Sequence, residues 1–293
     1  MKTIAITGSN GFIGKAMVNY FLEKGWKVVG LCRKPMQQSG NHPNLSFLSY
    51  TLEEGLQSSH LEGVDTLLHL AFLPASSQAP KSYEINLAEV QNLVKIAKTS
   101  TIQIVYFSSM SAHQKAVSQY GKHKFEAEEL LKDKPVLVLK PGLVIGKGGM
   151  LEKMKGLMLK SPIIPLVSGG NQPVQTLSMD DLCEATYTLM IQNEKGIWPL
   201  AEAVPSSMLN LYKSMADIMR VKPYFLSVPY PLIYIPAYFA DKLGISLPIT
   251  LENLKGLKKL SSFDTTATEK TIKFTFGNMK ANLALYSEFL QHD

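Results

Sequence analysis

The chain has 293 residues, with 30 Lys and Arg against 24 Asp and Glu (a formal charge of +6), 45% hydrophobic and 18% charged residues. That composition excludes a disordered chain, and the length suits one large domain or a domain with an annex. Two distant cysteines, Cys32 and Cys183, exclude a disulfide scaffold or a thiolate zinc cluster. No apolar run reaches the ~18 residues that would span a bilayer. The greasiest stretch, Tyr224 to Ala240, is interrupted by Pro229, Pro231 and Pro236 and reads most simply as the core of a C-terminal annex, the alternatives being a pocket for an apolar substrate or a patch resting on a partner or membrane surface. Met1-Lys2 and the following apolar residues mimic a signal peptide, but glycines and Asn10 interrupt them, so a buried strand in a cytoplasmic protein is expected. The positive charge is dispersed lysine beside glutamates, with Arg33 and Arg220 the only arginines. This is a solvated basic surface, and a nucleic-acid partner is not expected.

In chain order, KTIAIT, WKVVGLC, VDTLLHLA, IQIVYFSS and PVLVLK read as buried strands, with LSFLSY a weaker one. Phe12 to Lys24, Tyr83 to Lys98 and Tyr120 to Lys132 have helical spacing, and Gly25 suits a helix C-terminus. Such alternation predicts an α/β protein with a Rossmann-type, doubly wound parallel sheet. After Pro141 the chain turns rich in Gly and Pro. SMDDLCEATYTLM then opens a helix with Ser178 as N-cap, and GIWPLA reads as a last strand. The expected organisation is a nucleotide-binding domain over 1–146, with 176–203 returning to it, and a smaller substrate domain over 147–293.

TGSNGFIG joins the first strand to the first helix and spaces Gly8, Gly11 and Gly14 as G-x-x-G-x-x-G. Glycine at these points allows a tight turn, close approach of a diphosphate and close helix–strand packing. The diphosphate would sit on free N–H groups at the helix start, around Asn10, Phe12 and Ile13. At the end of the second strand stands Cys32-Arg33-Lys34 instead of an acidic residue, which suits a 2′-phosphate. NADP(H) is the expected cofactor and NAD the second choice.

Tyr120 and Lys124 lie four apart on one predicted helical face, and an ammonium there is expected to lower the phenol's pKa. The same spacing recurs at Tyr20/Lys24 and Tyr238/Lys242, but only Tyr120/Lys124 follows a strand ending in Ser108-Ser109. His69, His113 and His123 lack metal-ligand spacing, so no metal is expected. Asp180-Asp181 is explained by helix-start chemistry.

TGSNGFIG, HLA at His69 to Ala71, YEINLAEVQNLVKIAK, VYFSSMS, YGKHKFEAEELL and LKPGLVIG occur in order. Together they resemble the extended short-chain dehydrogenase/reductases, the NAD-dependent epimerase/dehydratase family, over residues 1–146. The likeness is weaker at SMDDL and thin at FDTTATEKTIKFTF, which looks like that family's closing strand and helix. The resemblance implies Tyr120 as acid/base, Lys124 on the nicotinamide ribose and Ser109 orienting the substrate carbonyl. It also places Leu70, Ala71 and Pro141 against the cofactor, and Asn86 on the helix behind the site. Tyr50 falls where the family usually has an aspartate on the adenine, and Lys140 where arginine is common. Only ten residues separate Ser109 from Tyr120, about half the usual loop in sugar-nucleotide epimerases.

The implied function is NAD(P)-dependent hydride transfer at a carbonyl or alcohol carbon of a nucleotide sugar or another small substrate. The alternative is an NADP(H)-binding sensor or assembly protein without turnover. A homodimer is a possible assembly.

Overall fold

The computed structural model describes residues 1–35, 42–74, 81–243 and 251–291 (without the side chains of 240 and 241). The first half runs β1 (Thr3–Thr7), α1 (Phe12–Glu23), β2 (Lys27–Cys32), β3 (Leu45–Ser49), β4 (Thr66–His69), α2 (Ser82–Thr99), β5 (Gln103–Phe107), α3 (Gln119–Leu131) and β6 (Val136–Pro141). It continues through β7 (Leu143–Ile145), α4 (Gly149–Lys160), β8 (Ile163–Val167), β9 (Pro173–Val174), β10 (Thr176–Ser178), α5 (Met179–Ile191) and β11 (Gly196–Leu200). The remainder is β12 (Ser206–Ser207), α6 (Met208–Met219), β13 (Tyr224–Val228), α7 (Tyr230–Lys242), α8 (Leu251–Leu257), α9 (Thr266–Ile272), α10 (Met279–Ala284) and α11 (Ser287–Gln291). All six strands expected before Pro141 form, as does the one at GIWPLA. Of the strand and helix expected over FDTTATEKTIKFTF only the helix forms, as α9; the residues on either side of it are irregular.

The chain divides into two compact units. The first comprises 1–108, 123–140 and 183–198; the second comprises 109–122, 141–182 and 199–293. The first holds a seven-stranded sheet in the order β11-β6-β5-β4-β1-β2-β3. From β3 to β6 every pairing is parallel. Order reverses between β1 and β4, the switch point beyond whose strand ends ligands bind in such sheets. Both faces are covered. On one, Leu31, Leu67, Ile104 and Val136 pack with Val90 and Leu93 of α2 and Ala127 and Leu131 of α3. On the other, Phe21 of α1 meets Trp26 at 5.4 Å and Tyr187 of α5 at 6.1 Å between ring centres. Burial on both sides explains the unbroken Val/Ile/Leu runs, each such side chain contributing roughly 1.5–3 kcal/mol.

A charged network lies inside this unit. Lys140 Nζ on β6 donates to Glu128 Oε2 of α3 at 2.8 Å, and Ser108 Oγ donates to the other carboxylate oxygen. Both members of the ion pair are at most 6% exposed. Burial pushes the Glu128 carboxyl up, while Lys140 pulls it back down.

The second unit contains three short two-stranded pairings, β10 with β7, β12 with β9 and β13 with β8. Glu202 ties it together: one carboxylate oxygen accepts from Thr176 N and Oγ1 at 2.7 Å, the other from Met279 N at 2.8 Å. Ser178 Oγ accepts the Asp181 N–H at 3.0 Å, the expected N-cap of α5.

Removing one partner of the buried pair strands the other's charge. Lys140→Met is expected to cost about 3–5 kcal/mol in urea unfolding, and Glu128→Leu/Lys140→Met to recover most of it.

Candidate active site

The glycine loop shows why its residues are glycines. Gly8 has φ +67°, and a Cβ on it would lie 3.2 Å from Ala71 N. A Cβ on Gly14 would strike the Gly8 carbonyl oxygen at 2.2 Å, so α1 can start only this close to β1 without a side chain there. Gly11 is the N-cap and offers no side chain, leaving the Phe12, Ile13 and Gly14 N–H groups at the open end of α1. A helix start with free backbone donors and no capping side chain fits the diphosphate of a dinucleotide. Asn10 Nδ2 donates to Lys34 O at 3.2 Å, linking this loop to the end of β2, where Arg33 and Lys34 are exposed.

Thr7 was not singled out from sequence, yet its hydroxyl organises the end of β4. It accepts from Leu70 N at 3.0 Å and Ala71 N at 3.1 Å. It lies 3.2 Å from His69 Nδ1, leaving that nitrogen to accept the hydroxyl proton. His69 is fully enclosed and stacks on Tyr106, and burial holds its pKa near 3, so it is a neutral structural histidine. Asn86 secures the same loop, accepting from Leu73 N at 3.0 Å and donating to Leu73 O at 2.8 Å. Tyr50 donates to Glu89 Oε1 at 2.8 Å and is buried, so it is a core residue.

Ser109 and Tyr120 come together in the second unit. The Ser109 hydroxyl hydrogen-bonds the Tyr120 phenol and also accepts the Ser111 N–H at 3.1 Å. Ser108 is instead committed to Glu128, which separates the roles of the two adjacent serines. The expectation that the Tyr120 pKa falls is corrected. Burial raises it above the ordinary phenol value, and the bond to Ser109 offsets this only in part. Lys124, one turn along α3, donates to Phe107 O at 2.6 Å, with Phe72 and Tyr106 rings within 4.8 Å. Burial lowers its pKa to about 7.

The competing pairs are explained by their surroundings. Tyr20 donates to Glu184, as does Lys24 at 3.5 Å, and Lys242 sits 5.0 Å above the Tyr238 ring. Among the described residues no group of three His, Cys, Asp or Glu is placed to hold a metal ion.

Ser109, Tyr120 and Pro141 line a cavity of about 370 Å³ within the second unit. Its other walls come from α4, β8, α6, α7 and α8, including Met154, Leu166, Tyr212, Ile233 and Leu257. No motif marks these residues, because they are scattered over a hundred positions and converge only by packing.

A profile of the NAD dependent epimerase/dehydratase family matches residues 4–199. The chain belongs to that family. It is an enzyme of the NAD(P)-dependent oxidoreductase or epimerase type. It is 20% identical to ceramide reductase of Caulobacter vibrioides (81% of this chain, 77% of that one). It is 24% identical to sterol-4-alpha-carboxylate 3-dehydrogenase, decarboxylating, of Dictyostelium discoideum (97% and 95%). Its fold is that of dTDP-glucose 4,6-dehydratase from Bacillus anthracis in complex with NAD, with TM-score 0.73, 15% identity and coverage of 99% and 96%.

The lowered Lys124 pKa has a consequence for stability. Between its folded value near 7 and the ordinary lysine value of 10.5, the unfolded chain binds more protons, so this group's contribution improves as pH rises through that window. Urea unfolding at pH 7 and 9.5 is expected to show a larger gain with pH for the wild type than for Lys124→Met.

Proposed function

We propose that the enzyme reduces a carbonyl, or oxidises the corresponding alcohol, with Tyr120 as the proton-transfer group. The observation that carries this is the Ser109–Tyr120 hydrogen bond at the wall of a cavity large enough for a small substrate. When bound, the nicotinamide supplies or accepts the hydride. In the reducing direction the Tyr120 phenol gives its proton to the carbonyl oxygen, and the Ser109 hydroxyl holds that oxygen in place. A phenol whose pKa is raised is protonated at neutral pH, which favours reduction. Lys124 supports the site from the next turn of α3 and reaches the nicotinamide ribose in this reading. Pro141, Leu70 and Ala71 offer contact surface, while Gly8, Asn10, Gly11, Phe12, Ile13 and Gly14 receive the diphosphate. The cavity beside Tyr120 favours turnover over a sensor without chemistry.

For the cofactor we propose NADP(H), with Arg33 and Lys34 receiving the 2′-phosphate. No acidic side chain precedes them at the tip of β2, where a carboxylate would bind ribose hydroxyls and repel a phosphate.

Tyr120→Phe is expected to lower carbonyl-dependent NADPH oxidation by roughly 10²–10⁴-fold, while NADPH binding by fluorescence titration is kept. The alkaline fall in the wild-type reduction rate is expected above pH ~10, the ordinary phenol pKa. Unchanged turnover in the variant would remove Tyr120 from this role.

Arg33→Ala is expected to weaken NADPH binding by about 10–100-fold, the worth of a charged hydrogen bond, and to leave NADH nearly unaffected. Equal effects on both cofactors would refute the assignment.

A further inference from the structure

The Tyr224–Ala240 segment is only in part the annex core expected from sequence. Only one side of α7 is inside: Ile233, Tyr234 and Ala237 pack on Val167, Leu251 and Leu254. On the other side, Leu232 is 65% exposed, Ile235 52%, Phe239 58% and Leu243 73%. These four recur at three- and four-residue intervals, so they form one apolar stripe. Tyr230, Tyr234 and Tyr238 stack along the helix at 5.4 and 6.3 Å. A lysine ammonium sits above each end of this ladder: Lys258 at 4.9 Å from Tyr230 and Lys242 at 5.0 Å from Tyr238. Residues 223–240 contain no charged side chain.

The inward side of the same helix reaches the cavity, where Ile233 joins Val167 and Leu254 in the lining. Among the described residues the cavity's ionisable side chains besides tyrosines are Lys153 and Glu252, and Glu252 is already paired with Lys255 at 3.0 Å. No arginine lines it, since Arg33 follows β2 and Arg220 caps α6. A diphosphate would find one lysine there, whereas an aliphatic chain would find Met150, Met154, Pro165, Leu166 and Leu257.

We infer that α7 lies flat on an anionic lipid surface and that the cavity behind it takes a long-chain carbonyl or alcohol lipid from that surface. The apolar stripe enters the acyl boundary, the exposed Tyr238 ring at its flank sits at headgroup level, and Lys242 and Lys258 meet lipid phosphates. At thirteen residues, α7 is too short to span a bilayer. The chemistry of this inference rests on the hydride-transfer reading above.

The test uses full-length protein with phosphatidylcholine vesicles, with and without phosphatidylglycerol, and a series of methyl ketones from 2-butanone to 2-dodecanone with NADPH. Cosedimentation is expected to require phosphatidylglycerol and to fall by ~10-fold or more in Leu232→Ser/Ile235→Ser/Phe239→Ser. Ile191→Ser, an equally exposed site in the first unit, is expected to bind vesicles like the wild type. KM is expected to fall by up to ~4-fold per added CH₂ until the cavity fills. Vesicle binding together with stabilisation by 2-dodecanone, but without NADPH oxidation, would uphold this inference and sink hydride transfer. Oxidation of NADPH by 2-butanone as readily as by 2-dodecanone, without vesicle binding, would do the reverse. A concentration-dependent dimer abolished by the triple variant, with no vesicle binding, would assign the stripe to a second copy and overturn the inference.

Discussion

Helix α3 is fastened to the end of β5 by two buried polar tethers one turn apart. Lys124 Nζ holds the Phe107 carbonyl and Glu128 holds the Ser108 hydroxyl, with Lys140 of β6 neutralising the carboxylate. A helix fixed at two points along its axis can neither slide nor rotate freely against the strand. The orientation of the helix from His123 onward follows within the first unit. The arrangement also explains why charged groups are tolerated inside a parallel sheet protein: each is hydrogen-bonded, and the pair carries no net charge.

The same burial that rigidifies α3 sets its electrostatics. Desolvation disfavours the charged form of every titratable group it encloses. It raises the Tyr120 phenol and the Glu128 carboxyl and lowers the Lys124 ammonium. Spacing along a helix specifies which side chains are neighbours but not how much water each retains. That is why Y-x-x-x-K suggested a depressed phenol pKa and the folded chain has the opposite. A protonated tyrosine beside a serine hydroxyl is nonetheless the form that the proposed reduction requires.

The apolar character of the second unit divides between two surfaces of one helix. Inside, α7 contributes to a cavity dominated by methionine, leucine and proline. Outside, it presents leucine, isoleucine and phenylalanine to solvent. Exposing such a stripe costs solubility unless something covers it, and lysines at both ends of the tyrosine ladder favour an anionic cover. Composition alone could not separate this helix from core, because hydrophobicity does not say which half of a helix finds a partner.

By itself the sequence determined the parallel sheet, the glycine turn and the basic Arg33-Lys34 after β2. Each of these is written in local terms: strands buried on both faces read as continuous apolar runs, and a position where a Cβ would stand 2.2 Å from a neighbouring carbonyl oxygen can only be glycine. Long-range packing decided the rest. It assigned Ser108 to structure and Ser109 to the cavity, gave Thr7 its place beneath Leu70 and Ala71, and assembled a pocket from residues scattered between Ser109 and Ser261. It also chose which face of α7 stayed outside. Burial and desolvation depend on what the rest of the chain brings alongside, and no spacing within a single element carries that information.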